Sequence, residues 1–151
     1  MQTNNLYENL SEERKQLQKD GLLPEWYTTA GWQLFKDKYL YEASSFKEQA
    51  QRIAKTAARH LPDDDEGKQE ATEWFFKLIW SGWMSCSTPI LANMGTDRGM
   101  PVSCAGNYVG DSLDSIYSAK HENSMLTKYG FGTSSYLGDL RPRGSNIAKG
   151  G

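Results

Sequence analysis

Cys104, within the segment PVSCAGNYVGDSLDS (residues 101–115), is the residue whose surroundings most favour chemistry. It is one of two cysteines in the chain, and its neighbours Ser103 and Ala105 are small. A thiol that serves as a nucleophile or a redox group has to be accessible, and small neighbours leave it so. Most free cysteines, however, are small buried hydrophobes. The sequence is compatible with both interpretations of Cys104.

Two other positions, Thr88 and Asp111, carry side chains that can contact a nucleotide. Thr88 precedes Pro89, so its backbone is expected to be extended, and its hydroxyl can point to a ligand phosphate. A hydroxyl residue before proline is also common in turns. Asp111 begins a predicted helix, where a carboxylate caps the helix or binds a ribose hydroxyl beside the free N–H groups.

The segment KYGFGTSSYLGDLRPRGS (residues 128–145) combines glycines with two arginines. Its Gly-x-Gly allows a close approach of backbone to a ligand, although it is not a dinucleotide fingerprint, and no Walker A pattern is present. Arg141 and Arg143 flank Pro142, and each can hold a phosphate through paired N–H donors. Arginines in such a turn can also be solvated surface charges, and composition favours that interpretation of both.

The sequence predicts the secondary structure that positions these residues: helices in the first half of the chain, and shorter strands, loops and one helix in the second half. Capping and apolar spacing predict a short helix from Ser11 to Gly21, a clear helix over residues 45–61 and a third over 63–83. In the second helix Ser45 and Glu48 fit a capping box. The core-facing stripe predicted for the third is Ala71, Trp74, Phe75, Leu78 and Ile79.

The remaining segments predict less regular structure. Residues 25–43 are expected to form a loop with a short helix or strand, and two β-capable runs around Ile90 and Val102 suggest a hairpin or a wide loop. A helix capped by Asp111 should follow, with Leu113, Ile116 and Tyr117 on one face. A strand is then expected near 133–140.

Composition excludes several classes of partner. The chain has 151 residues, a net charge of -2 and a pI near 5.7, without a basic run, so neither nucleic acid nor an anionic membrane is an expected partner. No 18-residue apolar stretch or signal peptide is present, and a cytoplasmic location with two free thiols is predicted. Two cysteines and two histidines, widely spaced, make a metal site improbable.

The ordered motifs STPILANMGTDRGMPVSCAGNYVGDSLDSI and KYGFGTSSYLGDLRPRGS resemble the large catalytic subunit of class I ribonucleotide reductase. The resemblance spans residues from about 80 to 151. It implies an α/β fold in which residues 1–83 form the N-terminal helical region and residues 84–151 the first strands and helix of a ten-stranded α/β barrel. The sequence departs from the family at the N-terminus, where no counterpart of the optional ATP-cone activity domain is found, so overall control by ATP and dATP is not expected.

The resemblance assigns a role to each residue of the substrate site. Cys104 matches the first cysteine of the redox pair, which reduces the 2' carbon of a ribonucleoside diphosphate and becomes half of a disulfide. Thr88, Ser103 and Gly132 match positions that contact the substrate. The chain would hold no cofactor or metal of its own.

The resemblance further implies an allosteric site for a nucleoside triphosphate at a dimer interface between two large subunits. Asp111, Ser112 and Leu113 match the start of the effector helix, and Arg141 matches a ligand of the effector phosphates. The family's second arginine falls at Ala148, so the triphosphate would be held either by the adjacent Lys149, a point charge without a fork, or by less charge than in the family.

The other catalytic groups of the family lie downstream of Gly151, so the resemblance implies the N-terminal fragment of a split or interrupted subunit. Its partners would be the C-terminal fragment, a metal-containing small subunit that supplies the radical, and thioredoxin or glutaredoxin. Alone, the fragment would be inactive. One alternative is a regulatory or assembly module that binds nucleotide without catalysis, and another is a plain helical binding domain.

Overall fold

Six helices and two strands are present in a computed structural model that describes residues 2–147. The helices are α1 (Gln2–Lys19), α2 (Thr29–Lys38), α3 (Phe46–Arg59), α4 (Asp65–Trp80), α5 (Thr88–Asn93) and α6 (Leu113–Lys128). The strands are β1 (Cys104–Tyr108) and β2 (Gly132–Tyr136). The chain divides into two units between Pro101 and Val102. The predicted family boundary at 83/84 stays a prediction.

Helix α3 is the centre of the first unit, and its start confirms the predicted cap. The Ser45 hydroxyl accepts the N–H of Glu48 at 3.2 Å. The Glu48 carboxylate accepts from the N–H and hydroxyl of Ser44 at 2.7 and 2.8 Å, so the return bond goes to Ser44 and not to Ser45. Those bonds lower the pKa of Glu48. The core around α3 consists of Leu23, Trp32, Phe35, Phe46, Ala50, Ile53 and Ile79.

Two details of the predicted helices were wrong. Helix α1 begins at Gln2, so Ser11 lies inside it and does not cap it, whereas Gly21 follows its end with a φ of +66°. A left-handed residue of this kind favours glycine. In α4, which Asp64 caps, Ile79 is buried, but Trp74 is 58% exposed and is not part of the core.

The run around Ile90 is helix α5 and not a strand. Pro89 lies in its first turn, where the missing N–H of proline costs no hydrogen bond. The buried Gln49 of α3 donates from Nε2 to the carbonyl oxygens of Leu91 and Tyr39, both at 2.6 Å. This amide therefore ties α5, and with it Thr88, to the core of the first unit.

The second unit is a parallel β1–α6–β2 arrangement and contains no hairpin among its described residues. Cys104 pairs with Gly132 and Tyr108 pairs with Tyr136, in register. Parallel strands require a crossover, which α6 supplies. The predicted strand over 133–140 ends early, because residues 138–140 turn. No helix in the described range is long and apolar enough to span a membrane.

Candidate functional site

The candidate site is the face of the β1–β2 sheet that turns away from α6. Neighbouring residues of a strand point to opposite faces, and the exposed positions of β1 are Cys104, Gly106 and Tyr108. Their partners in β2 are Gly132, Ser134 and Tyr136. A shallow, open depression of about 430 Å³ lies here, lined by Cys104, Ala105, Gly106, Gly132, Thr133 and Ser134.

Cys104 lies at the beginning of this face and is exposed with a free thiol, so it is not a buried hydrophobe. Ser103 and Gly132, two other predicted site residues, lie beside it: the Gly132 N–H donates to the Ser103 carbonyl at 2.7 Å. A Cβ added at Gly132 would meet that carbonyl at 3.7 Å, an ordinary contact. Within the described unit no contact and no positive φ requires glycine at this position, and the space in front of it is open.

Cys86, the other cysteine, has a different environment in the first unit. It is half-buried, and it lines an apolar groove together with Ile79, Met84 and Ile90. Burial raises the pKa of the Cys86 thiol, because desolvation disfavours the thiolate. The two thiols are therefore expected to differ in reactivity.

Cys104 is expected to react with iodoacetamide several times faster than Cys86 near pH 8. The thiolate is the reacting species, and the raised pKa of Cys86 lowers its thiolate fraction at that pH, while burial restricts access. The difference between the two reaction rates should decrease as the pH rises toward the pKa of Cys86. Mass spectrometry of peptides from a time course measures both rates, and the variants Cys86→Ser and Cys104→Ser assign them. Equal rates at pH 8 would contradict the exposure difference.

Asp111 and Arg141, two residues predicted for an effector site, are brought together after the two strands. Arg141 Nε donates to Asp111 Oδ2 at 2.7 Å, and Arg141 Nη1 donates to the carbonyl of Asn146 at 3.0 Å. Both side chains remain partly exposed, at 41% and 37%. The predicted cap is wrong by one residue: Ser112, not Asp111, caps α6, since its hydroxyl accepts the N–H of Ser115 at 3.2 Å.

The other predicted residues are distributed as follows. Ser112 and Leu113 are exposed at the start of α6, next to the Asp111–Arg141 pair. Thr88 lies in the first unit, where its hydroxyl is 3.4 Å from that of Tyr39. Lys149 and the adjacent Ala148 lie outside the described residues.

Three residues of this face were not predicted: Tyr108, Tyr136 and Asp139. The two rings stack with centroids 6.1 Å apart, and the Tyr108 hydroxyl donates to Asp139 Oδ2 at 2.7 Å. This hydrogen bond to a carboxylate raises the pKa of Tyr108. A side chain at Gly138 would collide with the Tyr136 ring. The sequence did contain a signal for the two tyrosines: Tyr108 lies four positions after Cys104 and Tyr136 four positions after Gly132, and an even spacing places both on the same strand face as those residues.

The described residues contain no group of three His, Cys, Asp or Glu side chains arranged to hold a metal ion. The site is thus built from one exposed thiol, backbone and hydroxyl groups around two glycines, two stacked phenols and an ion pair. A thiol can transfer electrons by forming a disulfide, and an arginine can hold a phosphate.

Comparisons with known proteins agree on one family. Residues 25–99 match the family described as ribonucleotide reductase, all-alpha domain. Over 75 residues the chain is 32% identical to a Frog virus 3 (isolate Goorha) protein named as a ribonucleoside-diphosphate reductase large subunit, covering 50% of this chain and 13% of that protein. Over 119 residues it is 29% identical to the vitamin B12-dependent ribonucleoside-diphosphate reductase of Mycobacterium tuberculosis (strain CDC 1551 / Oshkosh). This alignment covers 78% of this chain and 17% of that protein.

A solved structure matches the fold. The class Id ribonucleotide reductase alpha subunit of Actinobacillus ureae aligns with a TM-score of 0.67 at 37% identity. The match covers 80% of this chain and 22% of that one. The chain thus spans less than a quarter of the length of each of these relatives.

Proposed function

Because the chain belongs to the family of ribonucleotide reductase large subunits, we propose that it supplies part of the site that reduces ribonucleotides to 2'-deoxyribonucleotides. The observation that carries this proposal is the exposed thiol of Cys104 beside Gly132, on an open sheet face of small residues. A thiol required for every turnover has to reach both a substrate and a second sulfur. An exposed position on such a face provides that access.

The proposed reaction balances with two thiols. The 2' hydroxyl of the ribonucleotide leaves as water, and the 2' carbon receives the two electrons and the hydrogen that replace it. Cys104 and a second cysteine outside this chain lose those two electrons and join in a disulfide. A dithiol of the thioredoxin or glutaredoxin kind then restores both thiols by exchange. The radical that starts the reaction is supplied from outside this chain.

The substrate is proposed to lie over the depression in front of Cys104 and Gly132. Backbone that carries no side chain allows a ligand to approach closely, and the space beyond Gly132 is open. Ser103, joined to Gly132 through its carbonyl, is proposed to contact the sugar or the phosphates. The contact of the Thr88 hydroxyl with the substrate stays a prediction. Since a ribonucleoside diphosphate is the proposed substrate, hydroxyl and backbone donors suit its oxygens.

The effector is proposed to bind where Asp111 and Arg141 meet. A carboxylate can accept a ribose hydroxyl and a guanidinium can hold a phosphate, so this pair offers both contacts that a nucleoside triphosphate needs. Ser112 and Leu113, exposed beside the pair, complete the proposed site, and Lys149 is proposed to add a charge for the triphosphate.

The proposed partners follow from what the second unit leaves exposed. Leu113 and Tyr117, one turn apart on α6, are 73% and 64% exposed, which favours a second large subunit against this helix. The rest of the barrel is proposed to come from a companion segment of the large subunit, since the chain covers 22% of the matching alpha subunit. A small radical-generating subunit is proposed as a further partner, since the matching solved structure is an alpha subunit.

Reconstitution tests the proposal directly. The chain is combined with the remaining segment of the large subunit, the small subunit, a dithiol reductant and a ribonucleoside diphosphate, and deoxyribonucleotide is measured by chromatography. We expect product only when all protein components are present. A companion segment that is equally active without this chain would contradict the proposal.

Replacing Arg141 with alanine is expected to weaken binding of nucleoside triphosphates by about 10- to 100-fold, the scale of one charge-assisted hydrogen bond. The affinity of Arg141→Lys should lie between those of the parent and Arg141→Ala, because lysine keeps the positive charge but lacks the paired N–H donors of arginine. Titration calorimetry of the assembled subunit with ATP and deoxynucleoside triphosphates measures the affinity. Arg143→Ala, at an exposed arginine two positions away, is the matched control. Equal affinities for Arg141→Ala and the control would exclude Arg141 from the site.

A further inference from the structure

The second unit has little apolar material with which to fix its strands on its helix. The apolar side chains buried in its described part are Val109, Ala119 and Phe131. Hydrophobic contact is non-directional, so a core of this size restricts the register of α6 against the strands only weakly. Directional interactions such as hydrogen bonds are therefore needed to hold α6 and the strands in a single register.

A polar network on the inner face of the sheet provides this direction. Asn107 of β1 donates from Nδ2 to the Ala119 carbonyl at 3.0 Å and to Glu122 Oε2 at 3.3 Å. Its Oδ1 accepts from the Ser135 hydroxyl at 2.7 Å, and Ser135 Oγ accepts from Asn123 Nδ2 at 2.9 Å. One strand, its neighbour and the middle of the helix are thus joined through Asn107 and Ser135.

The network specifies which face of β1 carries the thiol. Cys104 and Asn107 are three residues apart and therefore point to opposite faces of the strand. A slip of β1 by one residue would turn Asn107 outward and Cys104 toward the helix. Such a slip would also separate Asn107 from the Ser135 hydroxyl and from the Ala119 carbonyl, and the loss of the second bond costs free energy because it is partly buried.

We propose that Asn107 is a positioning residue for Cys104: by bonding to α6 and to Ser135, it holds β1 in the register that presents the thiol on the open face. The inference rests on the proposed function for the role of Cys104, and it adds a residue that does not touch the substrate. Since α6 begins at the proposed effector residues, the network is also a polar connection between that helix and the strand of the thiol.

A fluorine label on Cys104 tests the positioning in the chain itself. In a Cys86→Ser background, Cys104 is labelled with a trifluoromethyl ketone reagent, and fluorine NMR is recorded with and without urea. We expect one folded resonance for the parent and for Ser124→Ala, whose hydroxyl donates within α6 to the Lys120 carbonyl. Asn107→Val and Ser135→Ala should show additional folded resonances, distinct from the one in urea, and Ser135→Thr should restore the single line. The proposal would be overturned if the spectrum of Asn107→Val showed only the parent's folded resonance, with or without the resonance of the unfolded chain.

Single-turnover kinetics of the assembled enzyme add a functional readout. With all thiols reduced beforehand and no external reductant, Asn107→Val should give the parent's amount of product at a rate about 10- to 100-fold lower, as expected for a misplaced reacting group. A purely structural role would instead lower the amount of product at an unchanged rate, and this result would overturn the proposal. A parent enzyme that forms no product would contradict the proposed function, and the fluorine spectra would still decide the positioning.

Discussion

Replacing Cys104 with serine is expected to abolish multiple-turnover reduction of ribonucleotides in the assembled enzyme. Serine keeps the size of the side chain and the exposed position but cannot form the disulfide that takes up the electrons of the substrate. We expect turnover with a dithiol reductant to fall by about a thousandfold or more, the scale seen when a group of the chemical step is removed. The formation of deoxyribonucleotide over time measures it.

Cys86→Ser is the matched control for this prediction, since it removes the other thiol of the chain, which lies half-buried in the first unit. Its turnover should remain within about twofold of the parent, as a substitution remote from the reacting groups leaves the chemical step unchanged. Nucleotide binding by Cys104→Ser should also be preserved, which shows that the loss is chemical. Full turnover by Cys104→Ser would exclude the assigned role and would favour a module that binds nucleotide without catalysis.

The elements that the sequence predicted well are those whose determinants are local. Helix α3 follows from Ser45 and Glu48, which lie three residues apart, and the end of α1 follows from Gly21. Capping bonds and a left-handed residue act within one turn, so a short segment contains all of the information that they need.

The wrong predictions depended on partners far along the chain. Residues around Ile90 have a β-capable composition, but Gln49 of α3 bonds to the Leu91 carbonyl and the segment forms a helix. β1 pairs in parallel with β2, and its local sequence does not specify that partner. Local propensity is a weak guide in such cases, because tertiary contacts override it.

The candidate site shows the same division. Adjacent Asp111 and Ser112 are both good capping residues, and the local sequence does not choose between them. Arg141, 30 positions beyond Asp111, binds that carboxylate and leaves the cap to Ser112. In contrast, Ser103, Cys104 and Gly132 were predicted as one site from a resemblance, and the strand register places them side by side. Their contact with a substrate stays a prediction.

Replacing Phe46 with alanine is expected to destabilise the first unit by about 3 to 5 kcal/mol, which is a large part of the stability of an ordinary domain. Phe46 is 3% exposed, and its ring contacts Tyr27 and Phe35 at centroid distances of 5.1 Å each and Trp26 and Trp80 at 6.0 Å each. Alanine would leave a cavity at the first residue of α3, where the loop before α2, α2 itself and the end of α4 meet. Urea unfolding of the chain, followed by tryptophan fluorescence, measures the change in the free energy of unfolding.

Two variants decide whether packing around Phe46 is the cause. Phe46→Leu keeps most of the apolar volume, so its cost should stay below about 2 kcal/mol. Trp74→Ala removes a larger aromatic side chain that is 58% exposed, and its cost should be no more than about 0.5 kcal/mol. Equal losses for Phe46→Ala and Trp74→Ala would contradict the placement of the core.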